Sequence, residues 1–384
     1  MESRIRKIKY IRYGAYGLLF LGAVTLVFVL IFHGAATRTP PHAGLDDELT
    51  PPSRERASTF QGGGVLVNES QGSEWDCRHK RGCDCVDGYL QFLEMARAGD
   101  NAKTEDELKG SFRNADEGRV AQESVTPKEL ADRLVRILNV DFFWDNIESE
   151  LLHVTIAQKR EHQNYFEQEL LLSNEYVGTW RAILLLPKGP GPHPAIVALH
   201  GHGDSPESFR DRLFGKDYPA HGYAILIPAF RLMCGGASEG KISKELLLHG
   251  HSLLGVRCYE TLLAVKFLLA NKAVDSERLG LIGHSGGSAL GNLVFRIDPR
   301  FRACVTDNVS TYHRSVSERG GFDDNYFDDM LPGLFPLHEA INDFENIGRP
   351  VFEAPYGYRD PHTNNSIMPR IFDFFDDHVR EPSP

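Results

Sequence analysis

The segment Leu279-Gly280-Leu281-Ile282-Gly283-His284-Ser285-Gly286-Gly287 constrains this chain more than any other. An apolar run enters G-x-S-x-G and small residues follow it, which predicts a strand that turns sharply into a helix. Such a turn leaves no room for side chains at 283 and 287, so glycine is required at both. It also holds the Ser285 hydroxyl above the sheet, at the positive end of the following helix. Ser285 is therefore the expected nucleophile.

A second motif agrees with the first. His200-Gly201-His202-Gly203 directly follows the apolar strand Ala195–Leu199. A backbone N–H from this loop and another from the residue after the nucleophile can hold a developing oxyanion. Such donors stabilise the transition state by about 3–4 kcal/mol each, because they face charge that develops only there. His202 and Gly286 are the expected donors. His284 reads as shaping the turn, and His200, His249 and His251 read as loop or supporting groups.

The surrounding pattern is that of an α/β protein. Thr126-Pro127-Lys128-Glu129 is a capping box, and Leu130, Leu134, Ile137 and Leu138 then share one helical face. Strands are expected at about 151–157, 166–172, 179–186, 195–199, 223–227 and 301–306. The first three have alternating or edge character and the later ones are short apolar runs, as in buried parallel strands. With a long helix at about 256–270, these elements predict a doubly wound, mostly parallel sheet with right-handed crossovers.

The chain then resembles a known family. The run Leu247–Gly255 precedes a helix, Val274–Gly280 leads into the serine turn, and Asp298-Pro299-Arg300-Phe301 follows. Gly222-Tyr223-Ala224, Asp324-Asn325-Tyr326 and Leu331-Pro332-Gly333-Leu334 fit the same pattern. Over about residues 180–362 this succession resembles the dienelactone hydrolase and acetyl xylan esterase-like branch of the α/β-hydrolases. The resemblance implies a serine esterase or deacetylase working without metal or organic cofactor.

The resemblance leaves two ways to complete a triad, which needs a histidine base and a carboxylate to fix its tautomer. In one, Gly357-Tyr358-Arg359-Asp360 is the acid-bearing loop, so Asp360 is the acid and His378 is left as base. In the other, Val351–Tyr356 is the last strand and His362 is the base, with Asp307 as substitute acid. Each alignment loses one strand relative to the family. The second is preferred, because the short loop and the helix expected at Met368–Val379 fit it. A peptidase resembling the prolyl oligopeptidase relatives is a rival reading, weakened by the lack of a propeller-sized N-terminal region. A catalytically silent hydrolase fold used for binding is another.

The N-terminus carries a separate signal. Gly14–Phe32 are 19 consecutive uncharged, mostly apolar residues, preceded by Arg4, Arg6, Lys7, Lys9 and Arg12. The span matches a bilayer core, and the basic residues favour a cytoplasmic N-terminus. The expected organisation is a basic tail (1–13), a transmembrane signal anchor (14–32), a stalk and N-terminal extension (33–125), and a hydrolase domain (126–384). Cleavage as a signal peptide, giving a secreted enzyme, is the alternative. The net charge of −11 lacks the electrostatic footprint of a nucleic-acid binder. The expected partner is a small-molecule or carbohydrate ester. Cys77, Cys83 and Cys85 allow a disulfide outside the cytoplasm, and Asn68, Asn308 and Asn364 each begin an N-glycosylation triplet.

Overall fold

The computed structural model describes residues 64–69, 96–97, 102–104, 106–111, 125–138, 147, 150–230, 233, 237–307 and 331–380. The chain divides into two compact units, residues 1–55, none of them described, and residues 56–384, to which everything below belongs. The span 14–32, Cys77, Cys83, Cys85, Cys234 and Asn308 lie outside the described residues. Among the described residues no helix is long and apolar enough to cross a membrane.

The described strands form one sheet: β1 (Val65–Glu69), β2 (Leu152–Glu161), β3 (Tyr165–Asn174), β4 (Gly178–Pro187), β5 (His193–Leu199), β6 (Ala224–Pro228), β7 (Val274–Gly283), β8 (Phe301–Thr306) and β9 (Val351–Glu353). Their order is β1-β2-β3-β4-β6-β5-β7-β8-β9. β2, β3 and β4 form an antiparallel start, and β4 is antiparallel to β6. From β6 through β5, β7, β8 and β9 every pairing is parallel. β5 and β6 are exchanged relative to chain order, which brings the exit of β5 beside the exit of β7.

Helices cover both faces. α1 (Pro127–Ile137), α4 (Leu253–Ala270) and α5 (Gly286–Ile297) pack on one face; α2 (Pro206–Arg212) and α7 (Met368–Phe375) pack on the other. α3 (Ala237–Leu248) and α6 (His338–Asn342) complete the set used here. α1 starts as its capping box requires, with Thr126 Oγ1 accepting from Glu129 N at 3.3 Å and Pro127 in the first turn. Leu130 and Leu134 are its buried face. Central strands β5 and β6 are buried along their whole length, which explains their unbroken apolar runs.

Ordered structure begins before residue 126. Val65 is buried in β1, which pairs in parallel with β2, and residues 106–111 form a short helix. The described part of the stretch read as stalk and extension therefore contributes an edge strand to the sheet. At the other edge β8 pairs directly with β9, so the last strand stands next to the one after the serine turn.

Candidate active site

Ser285 sits where β7 ends and α5 begins, with φ 53° and ψ −119°. A non-glycine residue there stores about 1–3 kcal/mol of backbone strain, which only surrounding contacts can hold. Those contacts are visible. A Cβ on Gly283 would stand 2.6 Å from Ser288 Cα, and one on Gly287 would stand 2.6 Å from the His200 carbonyl oxygen. The glycines thus let strand, turn, helix and the β5 exit meet at backbone distance. Ser285 remains partly exposed, while every residue of α5 is buried.

Asp307, one residue past β8, is the hub beneath this turn. Its carboxylate accepts from Ser285 N at 2.8 Å and from Gly357 N at 2.7 Å, and lies 2.5 Å from His284 Nδ1. Ser288 Oγ lies 3.0 Å from the same carboxylate and accepts from Asp307 N at 3.0 Å. A buried carboxylate with this many donors is well compensated. Asp307 therefore braces the elbow from below. The other nitrogen of His284, Nε2, faces Asp204 Oδ2 at 3.6 Å. Asp204 is itself held by Arg212 and by Ser208 Oγ.

The β5 exit lies against Ser285, as the H-G-x-G motif implied. A Cβ on Gly201 would come within 2.7 Å of Ser285 Cβ. His202 is the next residue, and Gly286 opens α5, where a first-turn N–H has no intrahelical acceptor. The imidazole of His202 packs over Gly286, and its Nε2 lies 3.5 Å from Glu239 Oε1. His200 is enclosed: Nδ1 lies 3.0 Å from Gly201 O, and Nε2 accepts from Phe230 N at 2.9 Å. Burial pushes its pKa down to about 4.

The two expected triads are not brought together at Ser285. His362 is exposed, and its backbone N–H, with the N–H and hydroxyl of Thr363, caps Asp360 Oδ1. Those hydrogen bonds, Thr363 N–H foremost, hold the Asp360 carboxyl below its usual range. Asp360 thus closes a turn. His378 is exposed and packs edge-on against Phe374. His338 bonds Asn342. None of His200, His284, His362 or His378 hydrogen-bonds the Ser285 hydroxyl. Asp307, expected as the substitute acid, does reach the elbow, directly at Ser285 N and beside His284, and not through His362. The loop after β9 meets the site with other residues: Gly357 N–H bonds Asp307, and the Tyr356 ring lies 4.9 Å from that of His284.

Sequence reasoning missed the pairing of His284 with Asp307 and that of His202 with Glu239. Both lie far apart in the chain, and no local pattern joins them.

A mixed sheet with exchanged central strands, a strained serine between strand and helix, and a glycine loop at the neighbouring strand exit together define an α/β-hydrolase fold. No family model matches the chain. YtaP of Bacillus subtilis (strain 168), named as a hydrolase, is 24% identical over 209 residues, covering 51% of this chain and 70% of its own. An inactive dipeptidyl peptidase 10 of Rattus norvegicus is 24% identical over 204 residues, 52% of this chain; the chain spans only 21% of that protein. Among solved structures, a protein of Bacteroides fragilis NCTC 9343 named as an acetyl xylan esterase superposes with TM-score 0.48 at 14% identity, covering 68% of this chain and 73% of that one. An acetyl xylan esterase from Paenibacillus sp. R4 gives TM-score 0.45 at 13% identity, covering 63% and 95%.

Proposed function

We propose that the protein is a serine hydrolase that cleaves carboxylic esters through an acyl-enzyme. The observation that carries this reading is the backbone of Ser285, φ 53° and ψ −119° at the start of α5, braced by Asp307 and by close glycine contacts. Strain of this kind is kept where presentation of a side chain repays it. In this reading Ser285 attacks the carbonyl carbon, the peptide N–H groups of His202 and Gly286 hold the oxyanion, and water releases the acid. Small-molecule or carbohydrate esters are the proposed substrates. The hydrolase unit is proposed to lie outside the cytoplasm, held by residues 14–32 as a signal anchor.

The test is hydrolysis of p-nitrophenyl acetate by the full chain in detergent, together with labelling by a serine-reactive fluorophosphonate. Ser285→Ala is expected to abolish both. Equal rates in the two proteins would remove Ser285 from the mechanism.

A second reading has its own support. The loop after β9 presents Tyr356 and Gly357 to the elbow, where a base-bearing loop would present a histidine. A hydrolase fold retained for binding accounts for that substitution, and the dipeptidyl peptidase relative carries the word inactive in its name. Under this reading the wild-type chain neither hydrolyses the ester nor takes the label.

A further inference from the structure

The short turn Tyr356–Tyr358, which follows β9, is fastened to the elbow at its second and third residues. Gly357 N donates to Asp307 Oδ2 at 2.7 Å, and Ser285 N donates to the other oxygen of the same carboxylate at 2.8 Å. The two peptide groups are thus one carboxylate apart. Tyr358 is fully buried, and its hydroxyl donates to Gly283 O, within the elbow itself, at 2.7 Å. To make both bonds the backbone enters the left-handed region twice, at Gly357 (φ 67°) and at Tyr358 (φ 57°). For tyrosine that conformation is costly, and it persists only where the surroundings enforce it.

The first residue of this turn is treated differently. Tyr356 is 65% exposed, although Tyr358, two positions on, is sealed in the core. Its ring stands 4.9 Å from that of His284, tilted by 50°, so it borders the residue immediately before Ser285. A single exposed apolar side chain is ordinary on a protein surface and by itself marks nothing. What singles out Tyr356 is its mount: a strained, doubly bonded turn fixes the backbone on either side of Gly357 and leaves one ring in water beside the elbow. An exposed ring keeps apolar surface that a flat partner can cover, and a ring carried on fixed backbone loses less entropy when it is covered.

We infer that Tyr356 is a platform on which a ring of the substrate lies while its ester group is at Ser285. The substrate class it selects is an ester borne on a six-membered ring with an open face, aromatic or sugar. This rests on the ester-hydrolase reading and adds a specificity-determining residue to it. The occupant follows from continuity with the elbow: Tyr356 adjoins His284, and its turn shares the Asp307 carboxylate with Ser285. What covers the ring is therefore part of the molecule that Ser285 attacks. Stacking uses the ring face, so it survives loss of the hydroxyl and does not survive loss of the ring.

The experiment measures kcat and KM, with the full chain in detergent, for three acetyl esters. In p-nitrophenyl acetate the ring is aromatic, in glucose pentaacetate it is a sugar, and ethyl acetate has none. Wild type, Ser285→Ala, Tyr356→Ala, Tyr356→Leu and Tyr356→Phe are compared, with circular dichroism on each. Tyr356→Ala is expected to raise KM for a ring-bearing ester by about 2–12-fold, the size of an aromatic pair. Its kcat should change much less, as when binding common to ground and transition state is removed, and KM for ethyl acetate should rise far less. Tyr356→Leu, apolar but without a flat ring, is expected to follow alanine, whereas Tyr356→Phe is expected to restore most of what alanine loses. A rise confined to p-nitrophenyl acetate assigns the platform to aromatic rings, and one confined to glucose pentaacetate assigns it to sugars; either supports the inference. Unchanged KM for both ring-bearing esters in the folded ringless variants, or an equal rise for ethyl acetate, would overturn it. With Ser285→Ala inactive, the ester reading would then still stand. Equal rates in wild type and Ser285→Ala would overturn both.

Discussion

His200 and His202 are two residues apart on one loop, and they differ in burial: His200 is enclosed and His202 is half-buried. His200 is held neutral, since Nδ1–H donates to Gly201 O while Nε2 must keep its lone pair for Phe230 N–H. Its folded pKa of about 4 lies below the ordinary value of 6.5, chiefly because burial disfavours the charged ring. Between those two values the unfolded chain binds a proton that the folded chain does not. Stability from this residue is therefore complete above about pH 6.5 and is lost as pH falls toward 4, by up to about 3 kcal/mol. Urea unfolding of wild type and His200→Gln at pH 7 and pH 4.5 separates this loss from that of the carboxylates. The wild type is expected to lose more; equal losses would mean that His200 titrates alike in both states. No sequence pattern distinguishes the two histidines, because what separates them is the depth at which the loop enters the core.

At the scale of the element, the elbow was legible because everything it needs is local or nearly so. The strand, the two glycines and the helix lie within one short window, and the contacts at Gly283 and Gly287 are those the turn demands. Gly287 and Gly291 occupy the same helix and make a sharp contrast. A Cβ at 287 would press on backbone, Leu199 C at 2.5 Å and His200 O at 2.6 Å, neither of which can yield without moving the β5 exit. A Cβ at 291 would press mainly on Leu281 Cδ2 at 2.8 Å, the end of a flexible side chain, and alanine there gains helix propensity. Gly287→Ala is expected to destabilise by about 1–3 kcal/mol or more, as overpacking does. Gly291→Ala is expected to fall well short of that. Equal urea midpoints for the two variants would show that the β5–α5 approach does not constrain the turn. The loop after β9 was not legible in the same way. Whether Tyr356, Gly357 or His362 reaches the elbow depends on how Asp360 closes its turn and on the short β9. Neither is written in a periodicity.

At the scale of the whole molecule, the apolar runs gave the central strands nearly residue for residue, because burial on both faces leaves no alternation to confuse them. β1 was missed for the opposite reason: it is a five-residue edge strand whose partner, β2, begins at Leu152, so nothing near it in the chain marks it. The N-terminal span poses a different question, since it concerns a solvent other than water. A helix over residues 14–32, at about 1.5 Å per residue, would reach about 30 Å, the thickness of a bilayer core. In the proposed topology the five basic residues before it would oppose translocation of the N-terminus. The proposed topology places the whole hydrolase unit, including the exposed turn at Asn364-Asn365-Ser366, on the far side of the membrane. In a host that glycosylates secreted proteins, Asn364 is then an open acceptor, whereas the Asn68 side-chain oxygen is buried. Protease added to intact cells is expected to digest the hydrolase unit. In a glycosylating host, Asn364→Gln is expected to remove a glycosidase-sensitive mobility shift. Complete protection under conditions that digest a known surface marker would reverse the topology, whichever histidine serves Ser285.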